Sequence, residues 1–358
     1  MSRIPVSVLG ATGVVGQRFV RRLAEHPWFE LRHLAASPRS AGLPYAEACV
    51  WRIPGPAHGG FGARKVVSCT PEEAFSPLVF SALDADTARE VEPAFARAGA
   101  LVFSNASAFR MDSDVPLLIP EVNPDHLGLL PAQRATRGWT GGILTNPNCT
   151  TTMLALVLAP LHAAFGVEAV LMASLQAASG AGWPGVPSLD LLGNVVPFIP
   201  GEEPKVEAEA PKLLGRLAGD RVEPAAFAVS ALCHRVPVID GHTEAVSVRL
   251  KGDPPPERVR EALRDWIPEP PRRGLPSAPS PAILLHDAED RPQPRLDAET
   301  GGGMAVHVGR LRRCPVMGIK LSLLGHNTER GAAGGSLLNA EWAVAQGLTP
   351  SGAALPRW

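Results

Sequence analysis

The sequence lacks a marked excess of either charge: its 34 lysines and arginines nearly balance 35 aspartates and glutamates, and the net charge is −1. A near-neutral chain offers no electrostatic surface for nucleic acid or for an acidic membrane, so we expect neither partner. No apolar run approaches the roughly 18 residues of a membrane-spanning helix. The N-terminus runs straight into a strand-like segment, without a signal-peptide pattern.

Cysteines are few and show no pairing pattern. The five of them are widely spaced, odd in number and include no CxxC pair: Cys49, Cys69, Cys149, Cys233 and Cys314. This argues against a disulfide framework and against a zinc site, so we expect no metal and a reducing cytoplasm. With 358 residues, 45% of them hydrophobic, the chain is long enough for two domains with separate cores.

A glycine-rich turn near the N-terminus joins a predicted strand to a predicted helix. The strand at 6–9 ends in Gly10-Ala11-Thr12-Gly13-Val14-Val15-Gly16, and apolar residues then recur at helical spacing over 14–26. A strand–turn–helix of this kind is the context of a dinucleotide-binding fingerprint, in which glycines let the backbone approach a pyrophosphate. The GxxGxxG spacing alone is a weak signal, and the alternative is a tight turn that binds nothing.

The loop after the second predicted strand, near 31–35, points to NADP. Its sequence is Ser37-Pro38-Arg39-Ser40-Ala41-Gly42, with no carboxylate. NAD-preferring sites usually place an acidic residue here for the ribose 2′-OH, whereas an arginine suits a 2′-phosphate. The alternative is an exposed loop arginine with no ligand.

Further strands are predicted at 78–81, 101–104 and 142–145, with a helix at 85–98 between the first two. This alternation predicts a parallel, doubly wound sheet. Its last strand leads directly to Cys149.

Cys149 is the candidate nucleophile. It follows the polar turn Asn146-Pro147-Asn148 and precedes an apolar helical stretch at 153–161, with Thr150-Thr151-Thr152 as expected capping residues. At a helix N-terminus the free N–H groups and the helix dipole lower the pKa of a thiol, so we expect a reactive thiolate. The alternative is a small buried residue that happens to follow a turn.

The second half of the chain supplies partners for a thiolate. A strand predicted at 167–173 leads into the small-residue run 176–182, which lets the backbone approach a ligand closely. Arg235 and His242 lie around a turn that precedes a strand predicted at 245–250. The histidine could exchange protons with a thiol, and the arginine could hold a carboxylate in a bidentate pair. The alternative for His242 is a turn-capping or surface histidine.

The charged segment 201–212 is ambiguous. Glu202 and Lys205 could together bind an ammonium and a phosphate group, or they could form a solvated helix face, and the sequence alone favours the solvated face. The residues taken together therefore predict a cysteine-dependent oxidoreductase that uses a nicotinamide cofactor and acts on a carbonyl compound.

Motifs along nearly the whole chain resemble the aspartate-semialdehyde dehydrogenase family, most closely its archaeal and fungal branch. They occupy residues 10–16, 37–42, 104–107, 146–150, 176–182, 235–243 and 326–328. The resemblance implies NADPH-dependent reductive dephosphorylation of L-aspartyl 4-phosphate to L-aspartate 4-semialdehyde, through a thioacyl intermediate on Cys149. This reaction serves biosynthesis of the aspartate-family amino acids.

The resemblance also implies roles for individual residues. His242 would be the general acid/base, and Gln176 would orient the acyl group. The substrate carboxylate would meet Arg235, the ammonium group Glu202, and the phosphate Arg110 and Lys205. The residues implied to contact NADP are Gly10, Thr12, Gly13, Val14, Val15, Ser37, Arg39, Ser40, Ser179, Gly180 and Asn327. Trp183 stands where the family usually has tyrosine, and its role is open.

The fold that the resemblance implies is α/β with two domains. A Rossmann-like doubly wound domain would span 1–149, and an α+β catalytic and dimerisation domain would span 150–326. The segment 327–358 would return to the first domain, with a helix over 331–346, and the protein would be a homodimer or homotetramer. The nearest alternative activity is malonyl-CoA reduction, but the four charged residues assigned to the substrate favour an amino-acid substrate. A nucleotide-binding protein without turnover is a further alternative.

Overall fold

The computed structural model describes residues 3–348. Within them, six strands form a parallel sheet: β1 (Ile4–Leu9), β2 (Phe29–Ala36), β3 (Val66–Ser68), β4 (Leu78–Ser81), β5 (Leu101–Ser104) and β6 (Gly142–Thr145). Their order is β3-β2-β1-β4-β5-β6, and every neighbouring pair is parallel. The strand order runs outward from β1 to β3 on one side and from β4 to β6 on the other, so the order switches between β1 and β4. A ligand crevice is expected outside the carboxyl ends of these two strands. The predicted doubly wound sheet is confirmed.

Helices connect these strands on both faces of the sheet. In chain order they are α1 (Val14–Leu23), α2 (Tyr45–Ala48), α3 (Pro71–Ala74), α4 (Ala85–Arg97) and α5 (Leu130–Arg137). The predicted strands at 78–81, 101–104 and 142–145 match the structure residue for residue. They are short, fully buried apolar runs between turns, which is the pattern of a central parallel strand.

A second, mixed sheet follows α6 (Cys149–Phe165). In the described part of the chain its strands are β7 (Val167–Gln176), β10 (Ala228–Arg235), β11 (His242–Leu250), β12 (Ile283–Leu285), β13 (Val306–Cys314) and β14 (Gly318–Gly325). Their order is β10-β7-β11-β14-β13-β12, and a separate hairpin is formed by β8 (Arg216–Ala218) and β9 (Arg221–Glu223). The remaining helices of this half are α7 (Ser188–Leu191), α8 (Glu202–Leu213), α9 (Pro256–Arg264), α10 (Glu269–Arg272) and α11 (Pro294–Asp297).

The mixed sheet has one buried and one exposed face. Along β7 and β11 every second side chain is buried, and α6, α8 and α9 pack over that side. The opposite face exposes apolar side chains, with Leu171, Leu175 and Leu232 between 43% and 59% exposed. An apolar sheet face of this kind is typical of a surface that another chain covers.

The C-terminal part of the described chain returns to the first sheet, as predicted. A wide π-helical turn at Glu329–Ala333 leads into α12 (Gly334–Ala345), which packs against α1, β4 and β5. The wide turn passes close to Cys149, because a Cβ added at Gly331 would lie 2.5 Å from the Cys149 Cβ. Residues 349–358 of the predicted return segment lie outside the described residues.

Two expectations from the sequence concern membrane-spanning helices and the cysteines. In the described range 3–348, no helix is both long enough and apolar enough to cross a bilayer. All five cysteines fall within that range, and each is a free thiol.

The two halves of the molecule are joined by a buried ionic cluster. Glu329 is fully buried and accepts hydrogen bonds from three arginines of α1, Arg18, Arg21 and Arg22. Arg18 also pairs with Asp240 at 3.2 Å, two residues before His242. The cluster therefore ties the first helix of the parallel-sheet half to the loop that precedes His242.

We predict that Glu329→Gln lowers the free energy of unfolding by about 3–5 kcal/mol, because it removes the buried carboxylate that three guanidinium groups share, of which only Arg18 keeps a second one among the described residues, Asp240. Urea unfolding followed by circular dichroism measures this. Glu223→Gln is the matched control, since Glu223 pairs with Arg216 at 2.6 Å on the surface and should cost less than about 1 kcal/mol. Equal losses in the two variants would contradict the assignment of a structural role to the cluster.

Candidate active site

A cavity of about 830 Å³ lies at the carboxyl ends of the strands of the first sheet, and residues of the second half form its other wall. This volume is in the range of small-molecule and cofactor sites, about 300–1,000 Å³. Both halves of the molecule contribute to its walls. The predicted site residues that line it are Gly13, Val14, Val15, Arg110, Cys149, Gln176, Ser179, Gly180, Glu202, Lys205, Arg235 and Asn327.

The structure brings Cys149 and His242 together from the two halves. The Cys149 Sγ lies 3.3 Å from the His242 Nε2. The Ala177 N–H donates to the other ring nitrogen, Nδ1, at 3.0 Å. Because Nδ1 accepts a hydrogen bond, the neutral ring carries its proton on Nε2, facing the sulfur. His242 is fully buried as the first residue of β11, whereas the sequence analysis placed it in a turn.

The cap of α6 differs from the prediction. The helix begins at Cys149, and its N-cap is Asn148, whose side-chain oxygen accepts the Thr151 N–H at 3.1 Å. The three threonines expected as caps lie inside the first turn, where the Thr152 hydroxyl donates to the Asn148 carbonyl. The signal for the correct cap was present, because asparagine directly before a helix is among the preferred N-caps.

The expectation of a low thiol pKa is wrong for this structure. Burial, with the charge of Glu202 second, raises the pKa of Cys149 to about 12, against the opposite effects of Arg110 and Arg235. Burial and the Arg235 charge lower the pKa of His242 to about 3. Loss of solvation therefore outweighs the helix dipole, and near pH 7 the pair is a neutral thiol beside a neutral imidazole.

The charged segment 201–212 forms α8, and its first turn faces the cavity rather than solvent. Glu202 is only 7% exposed, and its Oε1 accepts hydrogen bonds from Asn148 Nδ2 at 2.8 Å and Gln176 Nε2 at 3.2 Å. The Lys205 Nζ lies 3.8 Å from Oε2. The solvated helix face that the sequence favoured is therefore wrong for Glu202, whereas the Lys205 side chain is 36% exposed and also lines the cavity.

Arg235 lies at the end of β10 and is 5% exposed. Its Nη1 donates to the Ala177 carbonyl at 2.6 Å, so one side of the guanidinium is fixed. Gly180 packs against the Arg235 guanidinium, since a Cβ at position 180 would lie 2.7 Å from the Arg235 Nη1 and 3.2 Å from the His242 Cε1. Any larger residue at position 180 would displace the arginine or the histidine.

Arg110, predicted from the resemblance, is buried at the opposite side of the cavity. Its Nη2 donates to the Asn105 carbonyl at 2.7 Å, and its Nη1 pairs with Glu209 at 3.0 Å. The sequence analysis missed Glu209, Lys212 and Asn148. One signal could have revealed the first two, because Glu202, Lys205, Glu209 and Lys212 recur at helical spacing on one face of α8.

The glycine turn has the geometry of a phosphate-binding site. Gly10 has φ of +74°, and a Cβ there would lie 2.7 Å from the Ala82 carbonyl oxygen. At position 16 a Cβ would lie 2.1 Å from the Gly10 oxygen, so only glycine fits. No side chain of the described residues caps α1 at Gly13, and its first turn carries no acidic residue. The free N–H groups at this terminus therefore face the cavity and can take an anionic group.

The loop expected to select NADP lies beyond the cavity wall. Ser37 and Arg39 are exposed and Ser40 is half-buried, in the turn that follows β2. With Gly10 and Thr12, these residues lie at the edge of the first sheet but outside the cavity lining. The absence of a carboxylate from the loop sequence and the nearby arginine fit a 2′-phosphate.

Trp183, whose role the sequence left open, bridges the two halves. It lines the cavity, and its ring stacks on the Arg52 guanidinium at 3.4 Å. The backbone N–H of Arg52 donates to the Gln17 side-chain oxygen at 2.8 Å. The stacked pair therefore spans the cleft at the level of the glycine turn.

The comparisons with known proteins define the class first. Residues 5–130 match the family model "Semialdehyde dehydrogenase, NAD binding domain", and residues 158–330 match "Semialdehyde dehydrogenase, dimerisation domain". The class is therefore a semialdehyde dehydrogenase with a nucleotide-binding and a dimerisation domain.

Individual relatives show which family within this class the chain is similar to. The aspartate-semialdehyde dehydrogenase of Archaeoglobus fulgidus is 53% identical over 95% of this chain and 97% of its own. The enzyme of the same name from Cryptococcus neoformans is 48% identical over 97% and 98%. The crystal structure of the Candida albicans aspartate-semialdehyde dehydrogenase with NADP has a TM-score of 0.88 at 41% identity, over 96% of this chain and 99% of that one. The chain belongs to the aspartate-semialdehyde dehydrogenase family.

The raised thiol pKa predicts the pH dependence of alkylation. Iodoacetamide should modify Cys149 slowly at pH 7, and the rate should rise about tenfold per pH unit up to about pH 12, because only the thiolate reacts. Free cysteine, whose pKa is about 8.5, serves as the control and should reach its plateau far earlier. Peptide mass spectrometry resolves the rate at Cys149. A rate at Cys149 that is already at its plateau at pH 7 would contradict the neutral pair.

Proposed function

We propose that this chain catalyses the NADPH-dependent reductive dephosphorylation of L-aspartyl 4-phosphate to L-aspartate 4-semialdehyde and phosphate. The reaction supplies the aspartate-family amino acids lysine (through diaminopimelate), threonine, methionine and isoleucine. The observation that carries the proposal is the 3.3 Å contact between Cys149 and His242 in a cavity lined by Arg235, Glu202 and Arg110. Such a set of charges complements a substrate with a carboxylate, an ammonium and a phosphate group.

The charged side chains would bind different groups of the substrate. Arg235 would hold the α-carboxylate, and Glu202 would accept from the α-ammonium group. Arg110 and Lys205 would bind the phosphate. Malonyl-CoA, the substrate of the nearest alternative activity, has no ammonium group, so it would offer no positively charged group to the Glu202 carboxylate at the cavity wall.

Cys149 would attack the acyl carbon. The bond between Sγ and this carbon forms, and the bond from the carbon to the phosphate oxygen breaks. Phosphate then leaves as HPO₄²⁻, which accounts for the thiol proton. The Nε2–H of His242, the predicted general acid/base, would donate a hydrogen bond to the sulfur while the thiol proton passes to the departing phosphate. Gln176 would orient the acyl group.

The thioester is then reduced. When bound, the reduced nicotinamide cofactor supplies the hydride that takes the thioester to the aldehyde level. The Thr150 N–H at the start of α6 stabilises negative charge on the sulfur. The Cys149 thiolate released with the aldehyde takes a proton from solvent and restores the resting pair.

The residues of the glycine turn fit the pyrophosphate of NADP, and the loop at 37–42 fits its 2′-phosphate. We assign the contacts to Gly10, Thr12, Gly13, Val14, Val15, Ser37, Arg39, Ser40, Ser179, Gly180 and Asn327. Two of these are already linked to each other, because Asn327 Nδ2 donates to the Ser179 hydroxyl at 2.8 Å. This bond fixes the orientation of both side chains beside the cavity.

The wider organisation follows from the same family. We place the nucleotide-binding domain at 1–149, completed by 327–358, and the catalytic and dimerisation domain at 150–326. The exposed apolar face of β7 and β10 supports a homodimer or homotetramer built through the second domain. The free cysteines are consistent with the cytoplasm.

The activity is tested by NADP reduction with L-aspartate semialdehyde and phosphate, omitting each component in turn. We expect the rate to depend on all three, because phosphate must release the acyl group from Cys149. Activity that requires malonate semialdehyde and CoA instead would contradict the proposal and would assign the chain to the alternative reaction.

Substitution at the two central residues separates their roles. Cys149→Ala should abolish turnover and leave NADP affinity within twofold, because it removes the nucleophile and no assigned cofactor contact. His242→Asn should retain slow turnover, about 10²–10⁴-fold below the parent, since general acid/base catalysis contributes this much. Steady-state kinetics and cofactor titration measure both effects. Turnover by Cys149→Ala at the rate of the parent would rule out the covalent route.

A further inference from the structure

Glu209 is a buried carboxylate to which no role has been assigned. It lies on α8, two turns after Glu202, and is 1% exposed. Its Oε1 lies 3.0 Å from the Arg110 Nη1, and its Oε2 accepts the Asn148 N–H at 2.6 Å. A buried carboxylate with two charge-assisted contacts of this length is held in one orientation.

These two contacts join opposite sides of the site. Arg110 belongs to the loop that follows β5, whereas Asn148 caps the helix that begins at Cys149. One side chain therefore fixes the distance between the guanidinium proposed for phosphate and the turn that carries the nucleophile. Phosphate must bridge that same distance while it is bonded to the acyl carbon.

The guanidinium of Arg110 keeps N–H groups that a ligand could use. Glu209 and the Asn105 carbonyl take one N–H from each terminal nitrogen, while Nε has no hydrogen-bond partner among the described residues. The residue is 8% exposed and lines the cavity. An arginine buried without a counter-ion is costly, so Glu209 also makes this placement tolerable before the ligand binds.

Lys212, the next residue on the same helix face, secures the backbone of the loop. Its Nζ donates to the carbonyls of Arg110 at 2.7 Å, Asp112 at 2.9 Å and Val115 at 3.3 Å. Burial lowers the pKa of Lys212 to about 8, although Asp112 and Glu209 act in the opposite direction. Lys212 thus fixes where the loop runs, and Glu209 fixes where the Arg110 side chain points.

We propose that Glu209 is a positioning residue for the phosphate group, acting through Arg110 and through the Asn148 turn. The inference rests on the proposed function, because it concerns the phosphate of that reaction. Glu209 does not itself line the cavity, so its effect on phosphate is transmitted by the residues it holds.

The test is Glu209→Gln in the full chain, assayed as NADP reduction with L-aspartate semialdehyde and varied inorganic phosphate. The amide cannot hold both donors, so Arg110 should turn and the KM for phosphate should rise about 10–100-fold, the scale of misplacing a binding group by about 1 Å. The KM for the aldehyde and the Kd for NADP should stay within twofold. A purely structural role would not affect phosphate selectively.

Glu207→Gln is the matched control. Glu207 lies on the same helix, and its Oε1 accepts the Ala231 N–H at 3.1 Å, away from the cavity lining. It therefore reproduces the replacement, on the same helix, of a carboxylate that accepts a backbone N–H, without touching the phosphate side. We expect its KM for phosphate to equal that of the parent.

A double-mutant cycle with Arg110→Ala tests whether Glu209 acts through the arginine. If it does, adding Glu209→Gln to Arg110→Ala should raise the KM for phosphate by much less than Glu209→Gln raises it in the parent, the remainder coming from the lost Asn148 contact. Effects that multiply in full would contradict the proposal. If Glu209→Gln does not fold, Glu209→Asp, which keeps the charge on a shorter side chain, takes its place in the same cycle.

Failure of the proposed function and failure of the role of Glu209 give different results. A parent protein without phosphate-dependent NADP reduction would overturn the proposed function. An active parent, with a Glu209→Gln variant whose KM for phosphate stays within twofold, would overturn the role of Glu209 alone.

Discussion

The contact between the Cys149 sulfur and the His242 Nε2 is the constraint on which the rest of the structure depends, because its two residues come from different sheets. Cys149 follows the last strand of the parallel sheet, and His242 starts a central strand of the mixed one. The two can meet at 3.3 Å only if the halves are locked together. The cluster around Glu329 and the bond from the Gly241 N–H to the Asn327 Oδ1 at 2.9 Å provide that lock close to the histidine.

Burial decides the electrostatics of the site. Enclosure leaves the thiol and the imidazole neutral, so the resting enzyme carries no exposed thiolate. The charges that remain are held by partners: Glu202 by Asn148 and Gln176, and Arg110 by Glu209. Because these charges are fixed before the substrate arrives, little reorganisation is needed when it binds.

The sequence predicted much of the fold, because the short buried strands and the glycine turn are local signals, and it singled out Cys149 and His242, which the structure brings together. It could not predict how burial competes with the helix dipole at Cys149, since that balance depends on residues distant in the chain such as Glu202 and Arg235. The inward direction of α8 was missed for a related reason. Its charged residues have the same spacing on a solvated helix as on one that lines a cavity, and only tertiary packing distinguishes the two. Glu209 and Lys212 were missed with it.

The covalent route through Cys149 is the central claim, and a reaction without phosphate tests it most directly. The protein is mixed with L-aspartate semialdehyde and NADP, NADPH is followed by its absorbance, and the quenched protein is digested for mass spectrometry. We expect a burst of one NADPH per active site, an aspartyl adduct on the peptide that contains Cys149, and loss of the adduct when phosphate is added. Continuous NADPH formation without phosphate and without an adduct on Cys149 would contradict the account.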